Sequence, residues 1–170
     1  MNFVSIIEDN SSESRQLYER AFVEDERRYW QQIKANIKKE KFNFFTIKDK
    51  ESFIGIISLW NFDCFMYIEH FAILESLRSK GFGSKVLEMV SKEYSLPLVL
   101  EVDVPDDETS IKRVKFYEKN GFTMFSNKYV QPPYDKGKAS VEMRIMSSDK
   151  SLEFSLIKDT LYEKVYGVTR

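Results

Sequence analysis

Cysteine occurs once in the 170 residues, as Cys64. A lone cysteine rules out a disulfide within the chain and a cysteine-based zinc cluster. With a single histidine as well, His70, no His/Cys metal site is expected. Neither sign of charge is in excess: 26 Lys and Arg against 27 Asp and Glu leave a net −1. That balance argues against a broad nucleic-acid footprint. No apolar run approaches the ~18 residues of a membrane span, so no membrane partner is expected. The start, MNFVSIIEDNSSES, has neither a basic head nor a small-residue cleavage site, and a cytoplasmic location is the expectation. What remains is 42% apolar and 15% aromatic, which at this length suits one globular domain with a real core. No repeat or low-complexity segment interrupts it.

In order, Phe3–Ile7 reads as a strand. Asn10-x-x-Glu13 is a capping-box-like start for a helix with Leu17, Tyr18, Ala21 and Phe22 on its apolar stripe. Asp25 is expected to cap a second helix carrying Tyr29, Trp30, Ile33 and Ile37. Residues 42–48 and 53–60 read as hairpin strands around a polar turn, and Tyr67 to Leu74 as an apolar strand. A helix follows from Phe82, then a strand over 96–104. Asp107 or Thr109 caps the next helix, which Gly121 stops. Residues 122–130 and 139–146 read as strands around the loop QPPYDKGK, which holds two of the four prolines. Phe154, Ile157, Leu161 and Val165 mark a last helix.

Glycine is scarce at six residues, yet two of them, Gly81 and Gly83, sit one residue apart between the strand and helix of YIEHFAILESLRSKGFGSKVLEMV. Glycine permits positive φ and has no Cβ to keep a ligand from the backbone. The first turn of a helix presents unpaired N–H groups and the positive end of its dipole. Arg78 and Lys80 add charge, and together these suit a phosphate or pyrophosphate. A nucleotide-hydrolase loop does not fit, because Gly83-Ser84-Lys85 breaks the Walker A spacing.

The run Arg78-x-x-Gly81-x-Gly83 between strand and helix resembles the acyl-CoA signature of the GNAT (GCN5-related) N-acetyltransferase superfamily. A second block, RVKFYEKNGF from Arg113 to Phe122, is similar to that family's later helix, and the two lie in the family's order. The resemblance covers residues 1 to about 147. It implies a mixed α/β fold with a central, mostly antiparallel sheet and helices on both faces. The last helix, within residues 148–170, would be an extension packed on that domain.

The resemblance further implies acetyl-CoA as cosubstrate with no metal, and a small-molecule amine or a peptide amine as acceptor. Ser79, Lys80, Phe82 and Ser84 complete the expected cofactor loop around Arg78, Gly81 and Gly83. A bulge in the central strand would free a backbone N–H near Ala72 or Ile73 for the developing oxyanion. Ser110 stands where the family commonly has an Asn that touches the cofactor. Tyr117 would lie beside the thioester sulfur and protonate the departing thiolate.

For the base, period-2 alternation groups Glu69 with Tyr67, Phe71 and Ile73. Such apolar company would raise its pKa toward neutrality. Glu101 and Asp103, which share a face of the next strand, are its rivals. Both are also expected, with Tyr134, on the acceptor side. The resemblance implies that the acceptor enters past 22–30 and 131–138, and the acidity of that side favours a cationic amine. Alternation turns His70 away from Glu69 and makes it a satisfied core or interface histidine. Cys64 has no base partner for a covalent route. A homodimer is left open. The alternative to an enzyme is an acyl-CoA-binding sensor of the same fold, which needs Arg78, Gly81 and Gly83 but neither Glu69 nor Tyr117.

Overall fold

Strand residues Phe, Ile and Thr crowd 42–61, interrupted by a polar turn in which Lys50 takes φ 54°. The computed structural model describes residues 1–8 and 12–168. In it the chain divides into two compact units, Met1–Leu96 and Pro97–Arg170.

In the first unit β1 (Asn2–Ser5), β2 (Phe42–Asp49), β3 (Ser52–Asn61) and β4 (Met66–Ile73) pair antiparallel in chain order. Gly55 is the close-approach point of β3 and β4: a Cβ there would stand 2.2 Å from the Ala72 carbonyl oxygen. Three helices accompany the strands: α1 (Glu13–Ala21), α2 (Trp30–Asn36) and α3 (Phe82–Tyr94). Tyr18 on α1 is fully buried and gathers Phe22, Trp30, Phe44 and His70 at ring distances of 4.8–5.9 Å. Burying a side chain of that size is worth on the order of 2–3 kcal/mol. Two helix starts differ from expectation or escape it. The proposed Asn10 cap falls outside the described residues. Asp25 does not cap α2: residues 24–26 form a separate 3₁₀ turn, and α2 begins after Tyr29, whose N–H donates to Gln32 Oε1 at 2.8 Å.

In the second unit β8 (Val141–Ser147) is the common partner. It pairs antiparallel with β5 (Leu98–Asp103), with β6 (Thr123–Met124) and with β7 (Tyr129–Gln131). The strand expected over 122–130 is thus two short strands, separated where Ser126, Asn127 and Lys128 favour a turn. Between β5 and β6 lies α4 (Glu108–Lys119), capped by Asp107. Gly121 follows it at φ 87°, a value that suits glycine and explains the stop.

The last helix, α5 (Phe154–Thr160), runs into a π turn over Leu161–Val165, and its Ile157, Leu161 and Val165 are all buried. This segment is tied to the unit by Tyr162 OH, which donates to the Val130 carbonyl at 2.6 Å. It is also tied by the Phe125–Phe154 ring contact at 5.8 Å. The fold is mixed α/β, a mostly antiparallel sheet flanked by helices. Among the described residues no helix is long and apolar enough to cross a membrane.

Candidate active site

Gly81 is the N-cap of α3 at φ 82° and ψ −4°, a left-handed conformation that side chains with a Cβ resist. Nothing lies within 4 Å of where its Cβ would be, so the space over the loop is open. Gly83 is one residue inside the helix and is not among the positive-φ positions. The two glycines therefore do different things: the first makes the turn, and the second leaves the first helical turn bare. No side chain caps α3, and the first helical bond runs from Lys85 N–H to the Gly81 carbonyl. The N–H groups of Phe82, Gly83 and Ser84 precede it and have no partner inside the helix. Ser79 takes φ 60°, Lys80 is exposed, and Arg78 is exposed with its Nε donating to the Ile73 carbonyl at 3.3 Å. This cradle fits a pyrophosphate: bare amides, a helix dipole and two cations around open space.

The neighbouring strand corrects the sequence reading. Ser58 of β3 pairs with His70 and Leu59 with Ile68, so Glu69 is an extra residue on β4, a β-bulge. The bulge lies at Glu69, not near Ala72 or Ile73, which pair regularly with Ile56 and Gly55. It also breaks the alternation. Glu69 and His70 point the same way, with His70 Nδ1 3.7 Å from Glu69 Oε2. Phe71 and Ile73 are left on the other face.

The Glu69 side chain is fully buried. Its Oε1 accepts from Arg28 Nε and Nη2, each at 2.8 Å, and its Oε2 accepts from Trp60 Nε1 at 3.1 Å. Burial, the largest single influence, pushes this carboxyl up, but the Arg28 charge, His70 and the Arg28 and Trp60 hydrogen bonds together outweigh it. The pKa is held below the ordinary carboxylate value. The expected rise toward neutrality is therefore reversed. Arg28 escaped the sequence reading because only the bulge brings Glu69 to it.

His70 is the satisfied histidine expected. Its Nε2 donates to the Glu26 carbonyl at 3.1 Å, which fixes the tautomer, and its Nδ1 lies 3.2 Å from Ser58 Oγ. Burial pulls its pKa down to about 4, against the upward pull of Glu69. The unfolded chain, with a pKa near 6.5, takes up the proton first. Stability is therefore complete above about pH 6.5 and falls as pH drops toward 4, where His70 also protonates in the fold. Since the chain has one histidine, its imidazole NMR signals are unambiguous. They are expected to stay constant between pH 8 and 5.5, and a midpoint near 6.5 in the folded protein would refute the assignment.

In the second unit, Tyr117 on α4 is buried against Phe116 and Phe122 at ring distances of 5.1 and 5.5 Å. Burial raises its phenol to about 12, with Arg113 pulling down and Asp103 pushing up. Among the described residues none hydrogen-bonds its hydroxyl. Ser110 takes part in a helix cap. Its N–H donates to Asp107 Oδ1 at 2.7 Å and its Oγ accepts from Asp107 N–H at 3.1 Å, a reciprocal helix cap. The Asp107-x-x-Ser110 pattern was the signal for it. Asp103 is paired with Arg113 at the surface.

Glu101 is held by phenols. Tyr129 OH donates to Oε1, and Tyr166 OH to Oε2 at 2.7 Å. Burial, then the Glu101 charge and hydrogen bond, hold the Tyr129 phenol far above its ordinary pKa. Tyr134 is buried, with its ring 5.1 Å from that of Tyr166. Sequence reasoning named Glu101 and Tyr134 but missed Tyr129, Gln131 and Tyr166, which no motif marks.

Comparison with known proteins shows the family and the fold. The family model described as the acetyltransferase (GNAT) family matches residues 5–122, well over half of the chain. A solved GNAT-family protein of Bacteroides thetaiotaomicron is 31% identical. It aligns with 99% of this chain and 100% of its own at a TM-score of 0.90. An aminoglycoside 6'-N-acetyltransferase solved with coenzyme A shares the fold at TM-score 0.59 and 14% identity, over 90% of this chain and 100% of its own. The curated relative YjbC of Bacillus subtilis (strain 168), named as an acetyltransferase, is 30% identical over 69 residues. That stretch is 39% of this chain and about a third of the relative's length. The chain belongs to the GNAT acetyltransferase family.

Proposed function

We propose that the protein is a cytoplasmic, acetyl-CoA-dependent N-acetyltransferase that transfers the acetyl group directly to a primary amine of a small molecule or peptide. The observation that carries the reading is the glycine cradle at the start of α3, in a chain of this family. The Phe82, Gly83 and Ser84 amides would hold the pyrophosphate, with Arg78 and Lys80 as counter-charges and Ser79 shaping the turn. The amine nitrogen attacks the thioester carbonyl, and its oxygen takes the negative charge, for which a backbone N–H near Ala72 or Ile73 on the edge of β4 away from β3 is the proposed donor. As the C–S bond breaks, the Tyr117 hydroxyl donates a hydrogen bond to the departing thiolate sulfur.

Glu69 is assigned a positioning role. A carboxylate already neutralised by Arg28 and held below its ordinary pKa is a poor base near pH 7. It pins the 22–28 segment to β4 instead. The amine proton passes to Glu101 in this reading, directly or through water. Residues 1–147 would form the catalytic domain and 148–170 an extension of it.

The cradle has its own test. Gly81→Val forces a β-branched residue into φ 82° and covers the open space, so acetyl-CoA affinity is expected to fall by at least about 100-fold. Calorimetry that finds unchanged affinity in the folded variant would remove the cradle from the site.

A further inference from the structure

Resting on the reading of Glu101 as the group that takes the amine proton, we infer that Tyr166 and Tyr129 are positioning residues for its carboxylate, which makes the C-terminal extension part of the catalytic apparatus. The two phenols reach Glu101 from different elements. Tyr129 OH, from β7, donates to Oε1, and Tyr166 OH, from the extension, donates to Oε2 at 2.7 Å. A separate donor on each oxygen fixes the plane of a carboxylate and the direction of its remaining lone pairs.

Tyr166 is itself held from several sides. Its N–H bonds the Leu161 carbonyl five residues back, in the widened turn that ends α5. Just beyond it, the Val168 N–H bonds the Tyr162 carbonyl at 2.8 Å. The Tyr166 ring lies 5.1 Å from that of Tyr134, and its oxygen accepts from Gln131 Nε2 at 3.1 Å. Gln131 is buried, so this donor is fixed as well. An anchor for the chain end needs only the ring. Here the hydroxyl is fixed on both its donor and its acceptor side.

Phenols suit a group that gains and loses a proton. Arg28 beside Glu69 only donates, so a proton on that carboxyl would meet a donor with no lone pair. A phenol donates and accepts. While Glu101 is ionised, both O–H groups stabilise its charge. Once Oε2 carries a proton, the Tyr166 oxygen can accept it, and the Tyr166 proton turns to the Tyr134 oxygen 3.5 Å away. The other titratable groups around Glu101 keep their protons or are paired. Burial and the Glu101 charge raise the Tyr129 and Tyr162 phenols above their ordinary pKa. Asp103, two residues along β5, is taken up by Arg113 of α4.

The test is the pH profile of kcat/KM, expressed per free-base amine, for wild type, Tyr166→Phe, Tyr129→Phe and Glu101→Gln. Each Phe variant keeps the ring and loses one donor. Without that donor the ionised carboxylate is less favoured, so the acidic limb should move up by about one pH unit. The plateau above it should fall by about 10-fold as the carboxylate loses its orientation, with the KM for acetyl-CoA unchanged. Glu101→Gln should lose the limb altogether. The Phe variants are independent, so one that fails to fold leaves the other to decide. An unmoved limb in a folded Phe variant, or an equal fall at every pH, would overturn the inference, because a tether for the chain end does no more than that. Wild-type rates in Glu101→Gln would remove Glu101 from the proton transfer, and the inference with it, while leaving the acetyltransferase. A wild type that turns over no amine would remove both.

Discussion

Replacing Tyr117 by Phe is expected to lower acetyl transfer by about 10²-fold, near the lower end of the range for a lost general acid, ~10²–10⁴. Acetyl-CoA affinity should change little, because the ring and its packing on Phe116 and Phe122 remain. The pKa decides where in the range the loss falls. Burial raises the phenol to about 12, so it holds its proton throughout the working range. A thiolate of ordinary basicity, near 8.5, takes that proton only uphill. The phenol therefore acts mainly by hydrogen-bonding the sulfur as charge develops. Single-turnover rates with a good amine check this, since product release then plays no part. Transfer at the wild-type rate would make Tyr117 a packing residue.

Replacing Arg28 by Met is expected to destabilise the fold by about 3–5 kcal/mol, the cost of leaving a buried carboxylate without its counter-charge. The Glu69 side chain is fully buried and that of Arg28 8% exposed, so solvent cannot take over. Urea unfolding at pH 7 measures the loss. Adding Glu69→Gln to Arg28→Met should recover much of it, because the stranded charge goes. A double variant as unstable as the single one would mean that Arg28 acts by packing, not by charge. The pH dependence has a definite sign. Glu69 is held below its unfolded pKa, so its contribution is present above that value and is lost as pH falls through the folded one. The His70 loss between about pH 6.5 and 4 comes first on acidification.

How much of this was legible in the sequence depended on whether the signal was local. Gly81, Gly83 and the FYEKNGF block are local: a left-handed turn, a bare helix start and a helix stop each need particular residues, and the structure has them in those roles. The bulge at Glu69 is not local. It exists only in the register of β4 against β3, and one extra residue reverses which neighbours share a face. That single event turned Glu69 toward Arg28 and inverted its pKa shift. The Tyr166–Glu101 bond joins residues 65 apart through a π turn that no periodicity announces. Asp25 failed differently: it had a plausible partner pattern, and a competing cap, Gln32 to the Tyr29 amide, prevailed.

The central claim, transfer of acetyl from acetyl-CoA to an amine, is tested most directly by CoA release across a panel of primary amines. The panel should include diamines, amino sugars and peptide N-termini, with the product identified by mass spectrometry. The account predicts that at least one amine releases CoA and is recovered N-acetylated in equal amount. Calorimetric binding of acetyl-CoA with no amine turned over would contradict it and leave an acyl-CoA sensor in its place.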